Sequence, residues 1–416
     1  MCQQTDRADI DNRIFSLAIP ALGSLAIDPL LGLVDTLYLG RIPSPSPLAA
    51  LGVCSSIFNY AFFIFNFFAT ATTPLISRAL AAGEKEEAAE TLAQALTAAA
   101  LLGVSTVGLL EFFSHGIIES MGTIGNGAFR GLQDTRTPLL ILLVANLVNF
   151  VLDPLFIYGV NINSGAGLAT AIAEWISAGL FMGTLRQREA VTSSLMSMPA
   201  SRLHGRDEHP LLVASGAVFL RSIALQSVLT FATSQAARTG TEAVAAHQVG
   251  LQVWLLMSFA VDSLAVAAQT LIAEELGKGS KRDARVIADR LTTLAAQIGL
   301  LLMLAFLASS SFLPKVFTAD AKVDEIVQHL LLYISVMQPI NALVFVGDGI
   351  LQGSEDFAFL TKAMFVAAAS SLLVLLAGEG IDGVWSGLVV LQVMRAAGLG
   401  WRYYGGKAAG GPLNVE

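Results

Sequence analysis

Apolar runs nearly free of charge recur along the whole sequence, Leu291 to Leu313 and Ala363 to Ala377 among them. Crossing a bilayer as a helix takes roughly 20 predominantly apolar residues, so runs of this length read as spans. One such run could be a buried core helix, but several in succession could not. Backbone groups in hydrocarbon must find partners within their own segment, which leaves helices or closed barrels. The runs lack the period-2 alternation of barrel strands, so helices are expected. Composition agrees. Of the 416 residues, 54% are hydrophobic and only 13% charged, against about 25% charged in soluble domains. That is too little charge to clothe a water-facing surface, so most of the exterior must face lipid.

The same numbers exclude other classes. The net charge of −8 is spread along the chain and no basic stripe with interleaved aromatics occurs, which argues against a nucleic-acid partner. Two cysteines, Cys2 and Cys54, form neither a disulfide framework nor a metal cluster. The first apolar run begins near Ile14 with no small-residue cleavage site behind a short core, so it reads as a retained span rather than a signal peptide. No His/Glu zinc pair and no serine elbow is present, so an enzyme is not expected.

The sequence repeats itself. Leu48-Ala49-Ala50, an apolar run and Leu80-Ala81-Ala82-Gly83-Glu84-Lys85 correspond to Val244-Ala245-Ala246, a second run and Leu276-Gly277-Lys278-Gly279-Ser280-Lys281. Further on, Asn126-Gly127-Ala128-Phe129-Arg130-Gly131-Leu132-Gln133-Asp134 corresponds to Asp348-Gly349-Ile350-Leu351-Gln352-Gly353-Ser354-Glu355-Asp356. Duplicated halves are a habit of transporters, with the substrate path where the halves meet. A polar stretch separates them. The expected organisation is an N-terminal helical lobe over 1–190, a cytoplasmic linker over 191–209, a C-terminal helical lobe over 210–404 and a tail over 405–416.

The second correspondence is offset further than the first by roughly one span and its turn. The first half is therefore short of one helix, and the expected fourth is missing or vestigial near 114–130. Expected spans lie near 14–38, 47–76, 88–113, 137–158, 165–187, 211–236, 243–272, 286–312, 325–350, 358–378 and 383–403. Basic residues agree with a layout that keeps an even number of crossings in mind, because Lys and Arg collect on the cytoplasmic side. On that layout Arg78, Lys85, Arg130, Arg136, Lys278, Lys281, Arg282, Arg285, Arg290 and Arg395 fall inside, while Arg41, Arg238, Lys315 and Lys322 fall outside. Arg221 lies within a span.

Carboxylates in a span are costly, about 2.5–3.5 kcal/mol each on insertion scales, and ask for a reason. Asp28 and Asp35 are two helical turns apart in the first span, with Pro20 and Pro29 positioned to bend it. Asn149 and Asp153 stand one turn apart on one face. A carboxyl beside an amide in a pocket of low dielectric has a raised pKa, and so can exchange a proton near neutral pH or hold a small cation. Interfacial or mutually paired placement is the plainer alternative for each. Glu174 and Asp262 are further candidates. His247, alone at the start of a span, reads as a satisfied or interfacial histidine. Position 153 corresponds to apolar Leu375, so the coupling carboxylates are expected in the N-terminal half alone.

Pro20, Asp28-Pro29, Val34-Asp35-Thr36 with Gly40, and the Gly127 to Thr135 signature resemble the multidrug and toxic compound extrusion (MATE) family, in particular its DNA-damage-inducible-F-like branch. The resemblance covers roughly Ile14 to Tyr404 apart from the fourth helix. It implies an all-α integral membrane fold of two pseudo-symmetric six-helix lobes, here with about eleven spans. It implies export of small organic compounds by alternating access, in exchange for H⁺ or Na⁺ and without a cofactor. The matched coupling residues are Asp35, Asn149, Asp153 and Thr170, and Pro20 matches a proline that bends the first helix on protonation. A monomer in the bacterial inner membrane, or in a plastid envelope or other membrane of a eukaryote, is expected. Two rivals stay open. One is a truncated form that does not transport. The other is a flippase for lipids or lipid-linked precursors, which would want several basic residues inside the cavity, where Arg221 is the sole candidate.

Overall fold

The computed structural model describes residues 7–39, 69–109, 133–156, 165–187, 210–317, 321–405 and 411–413. These residues are helical apart from short turns, as the apolar runs demand. The helices are α1 (Arg7–Leu39), α2 (69–81), α3 (Lys85–Leu109), α4 (Arg136–Pro154), α5 (Gly165–Gln187) and α6 (Pro210–Thr239). There follow α7 (Thr241–Gly277), α8 (Lys281–Ser309), the short α9 (Leu313–Phe317), α10 (Ala321–Gly353), α11 (Phe357–Ala377) and α12 (Gly380–Tyr404). Eight helices among the described residues are long and apolar enough to cross a membrane. The region of the expected fourth helix, 114–130, lies outside the described residues, as does most of the expected second span.

Helix α1 starts at Arg7, a full turn and more before the apolar run. Its polar opening is held by ion pairs. Arg290 grips both carboxylate oxygens of Asp11 at 2.6 and 2.7 Å, and Arg13 reaches Glu274 and Glu275 at 2.7 and 2.8 Å. Charge-assisted bonds of this bidentate kind are the strong ones, and they carry the helix past the limit that hydrophobicity alone would set.

The chain divides into two compact units. One holds Met1–Ile14, Ala217–Leu276 and Ser280–Glu416, and the other Phe15–Gly216 and Gly277–Gly279. In the first, α10 is the hub, packed against α8, α11 and α12. Close approach there depends on glycine. A Cβ on Gly299 of α8 would lie 2.6 Å from Pro339 Cα of α10, and one on Gly349 would lie 2.5 Å from the Ala265 carbonyl oxygen of α7. In the second unit α4 packs on α5. Its start is fastened to α1 by Thr135, whose hydroxyl donates to the Leu17 carbonyl at 3.0 Å, and Gly23 of α1 lies under Leu139.

The sequence repeat reappears as repeated turn geometry. Gly83 and Gly279, matched positions, both adopt left-handed backbone at φ of 81° and 79°. Each is followed by the same closing bond, Glu84 N–H to Ala79 O at 2.8 Å and Ser280 N–H to Glu275 O at 2.9 Å. Helices commonly end this way because the left-handed residue turns the chain back over orphaned carbonyls. The second pair behaves alike, Gln133 and Glu355 both having φ of 59° although neither is glycine. In each, the residue that follows is an aspartate, Asp134 two residues before the start of α4 and Asp356 at the N-cap of α11.

Candidate functional site

Helix α4 is turned inside out relative to a soluble helix. Leu140, Leu143, Leu147 and Val151 are exposed, whereas Pro138, Ile141, Ala145, Asn149 and Asp153 are buried. Spacings of three and four residues put the second set on one stripe. In lipid this is the stable choice, since apolar side chains face hydrocarbon and polar ones find company inside. Asn149 and Asp153 are both 0% exposed, and both take part in polar interactions. The end of the stripe is thus a sealed amide–carboxyl pair of positions one turn apart. Both side chains are withdrawn from solvent.

On the facing helix α5, Ala169, Ala173, Ser177 and Phe181 are buried in steps of four. Thr170 adjoins this stripe in sequence, though its side chain lies outside the described residues. Glu174 is half-buried. On α1, Pro20 is buried and lacks the N–H that a helix interior would use. Its carbonyl accepts a hydrogen bond from the Ser24 hydroxyl at 3.2 Å. Asp28 and Asp35 belong to α1, but their side chains lie outside the described residues.

The other unit contains a buried ionic network that spacing along the sequence does not reveal. Arg395, assigned to the cytoplasmic side of the expected span 383–403, is 5% exposed within α12 and donates to Asp348 of α10 at 2.5 Å. Arg221 of α6 donates to the same Asp348 oxygen. Arg395 also donates to Gln392 at 2.7 Å, and Gln392 to Asn341 at 2.8 Å. Asp262 of α7, half-buried, acts electrostatically on Arg395. Arg221 is therefore joined by a second internal arginine, and buried acid is present in both halves. The available signal was the rule that an ionisable residue in a span seeks an ionisable partner, applied to Arg221, Asp348 and Arg395 together. His247 is 0% exposed and contacts Thr233 Oγ1 at 3.2 Å. The same hydroxyl lies 3.0 Å from the Leu229 carbonyl oxygen, to which it can donate. Among the described residues no group of three or more His, Cys, Asp or Glu is arranged to hold a metal ion.

Both halves of the chain are therefore built as membrane-embedded bundles with polar residues sealed in their interiors. The sequence model of MatE matches residues 20–126 and 217–376. The chain belongs to the MatE family. Among its relatives, Protein DETOXIFICATION 44, chloroplastic, of Arabidopsis thaliana is 31% identical over 94% of this chain and 82% of that protein. DNA damage-inducible protein F of Escherichia coli (strain K12) is 26% identical over 94% of this chain and 92% of that protein. The fold is shared with the Vibrio cholerae MATE transporter VcmN in the bent form, at a TM-score of 0.84 and 21% identity over 98% of each chain. It is shared also with MATE in the straight conformation, at a TM-score of 0.83 and 19% identity over 94% of this chain and 95% of that one. MatE proteins are transporters rather than enzymes, and this one is an integral, multi-pass membrane protein.

Proposed function

We propose that this MatE protein exports small organic compounds by alternating access, coupled to inward movement of H⁺ or Na⁺ at Asp153. The observation that carries the reading is the complete burial of Asn149 and Asp153, one turn apart, on the inner stripe of a helix whose other face is lipid-compatible. Burying a carboxylate costs several kcal/mol, and a cell membrane holds ion gradients that such a group can use by taking up and releasing a proton or cation.

Helix register supports Asp35 as its partner. Two contacts fasten α1 to α4, Leu17 to Thr135 and Gly23 to Leu139, and both chains ascend together through them. At a rise of about 1.5 Å per residue, Asp35 comes roughly 18 Å beyond Gly23 and Asp153 roughly 21 Å beyond Leu139. The two acids then stand at nearly one depth on neighbouring helices. In this reading, protonation of Asp153 changes what α1 faces. Pro20 supplies the point at which α1 yields, and Asn149 and Thr170 complete the polar surroundings. Names of relatives such as "Multidrug resistance protein MdtK" of Edwardsiella ictaluri support small organic molecules as cargo.

The test is uptake into vesicles under an imposed pH or Na⁺ gradient with fluorescent organic cations. Asp153→Asn keeps shape but loses the ionisable oxygen, and should lower gradient-driven flux at least about tenfold, a change of ~1.4 kcal/mol. Insertion and yield should be unchanged. Undiminished gradient-driven flux in that variant would overturn the assignment.

A further inference from the structure

Three donor atoms of the network around Asp348 have no hydrogen-bond partner among the described residues. Arg395 can only donate, so the Gln392 atom that receives its Nη1 must be the oxygen. That turns the Gln392 amide nitrogen to Asn341, where it must meet Oδ1. The orientation of both amides is thus forced, and Asn341 is left with its Nδ2 toward neither. Asn341 Nδ2, Arg395 Nε and Arg221 Nε are all buried with no hydrogen-bond partner among the described residues. Asn341 is 2% exposed and Arg395 5%. The three orphaned atoms belong to one connected network, and all three are donors. Phe345 closes one side, its ring 5.8 Å from the Arg395 guanidinium carbon.

Such a site is poorly suited to a cation. Asp348, its central carboxylate, is already held by two guanidinium groups. The orphaned buried atoms of Arg221, Arg395 and Asn341 are all donors, and planar guanidinium donors match the paired oxygens of carboxylate and phosphate groups. Arg221 keeps part of its side chain accessible at 14%, which leaves an approach from outside the core. We propose that Arg221, Arg395 and Asn341 form an oxyanion-binding site in the C-terminal half, accepting a carboxylate or phosphate group of an organic compound. Assigning that compound as cargo rests on the transport reading above. The site itself does not, because it depends on no coupling residue.

Binding is therefore measured without transport, on the purified full-length chain in detergent, by the shift of its thermal unfolding midpoint. The probes are benzoate, phenyl phosphate, inorganic phosphate and tetraphenylphosphonium. A saturable upward shift with benzoate or phenyl phosphate is expected, and whichever is tighter assigns the group. An equal response to inorganic phosphate would support the oxyanion site while assigning the free anion as its ligand. In Asn341→Asp, an acceptor replaces the orphaned donor and the Gln392 bond is kept, so apparent affinity should fall at least about tenfold. Arg395→Lys keeps the charge but has no Nε, and should weaken binding in the same direction. Unliganded unfolding midpoint and elution profile establish that each variant is folded. The proposal is overturned if no oxyanion probe shifts the native chain, so that water alone fills the site, or if both variants respond as the native chain does. Failure of Asp153→Asn to affect flux would leave these outcomes untouched.

Discussion

Arg395 shows how much a single side chain in a membrane core can determine. Its charge is tolerable at 5% exposure because Asp348 and Gln392 take two of its donors. Removing one partner of a buried ion pair typically costs about 3–5 kcal/mol, since the survivor is stranded in low dielectric. Arg395→Leu strands Asp348 only in part, as Arg221 still grips it. The expected loss is accordingly at the lower end, about 3 kcal/mol, read as a lowered unfolding midpoint in detergent. Replacing Arg395, Asp348 and Arg221 together by leucine should recover much of that loss, because the whole triad is then apolar and no charge is left to desolvate. The N-terminal candidates were legible one residue at a time, since an acid in an apolar run is conspicuous by itself. Arg395 was not, for a basic residue counted toward the cytoplasmic bias does not announce which acid it will meet.

At the scale of elements, the helices are held apart and together by what happens at glycine contacts and turns. Gly349 and Gly353 of α10 let α7 approach until a Cβ at either would fall 2.5 and 2.6 Å from the Ala265 and Gln269 carbonyl oxygens. Membrane helices rely on such close backbone packing because burial of apolar surface gains nothing against lipid. Gly349→Val should therefore cost about 1–3 kcal/mol through forced displacement, and lower the unfolding midpoint more than Gly216→Val, where nothing lies within 4 Å. The turn between α7 and α8 is a milder case. Ser280 caps α8, accepting from the Asp283 N–H at 3.3 Å, and Ser280→Ala is expected to cost about 1 kcal/mol. Turn positions were readable from the repeat itself. That Gln133 and Glu355 share a left-handed backbone was not, since neither residue type announces it.

For the whole molecule, the polar opening of α1 is the feature with the longest reach in sequence. Asp11 and Arg290, and Arg13 with Glu274 and Glu275, tie the first turns of the chain to the α7–α8 hairpin within one compact unit. From Phe15 onward, α1 belongs to the other unit. Asp11→Arg should place two like charges together and lower stability by about 1 kcal/mol, given partial exposure and screening. Exchange of both residues, Asp11→Arg with Arg290→Asp, should restore at least half of it. A double-mutant cycle on unfolding midpoints measures the coupling, and additivity of the two changes would show the pair to be energetically idle.

Spans, duplication, the matched turns and the polar positions on α4 all followed from the sequence, because each is a matter of local composition or spacing. An apolar run long enough to cross hydrocarbon is a helix wherever it is placed. Tertiary structure alone decided which side of each helix is the inner one, and which ions meet. The physical reason is that lipid and protein core are equally apolar, so hydrophobic periodicity, the usual guide to orientation, is nearly silent in a span. Only the contacts of α6, α10 and α12 could bring Arg221, Asp348 and Arg395 to a single carboxylate oxygen.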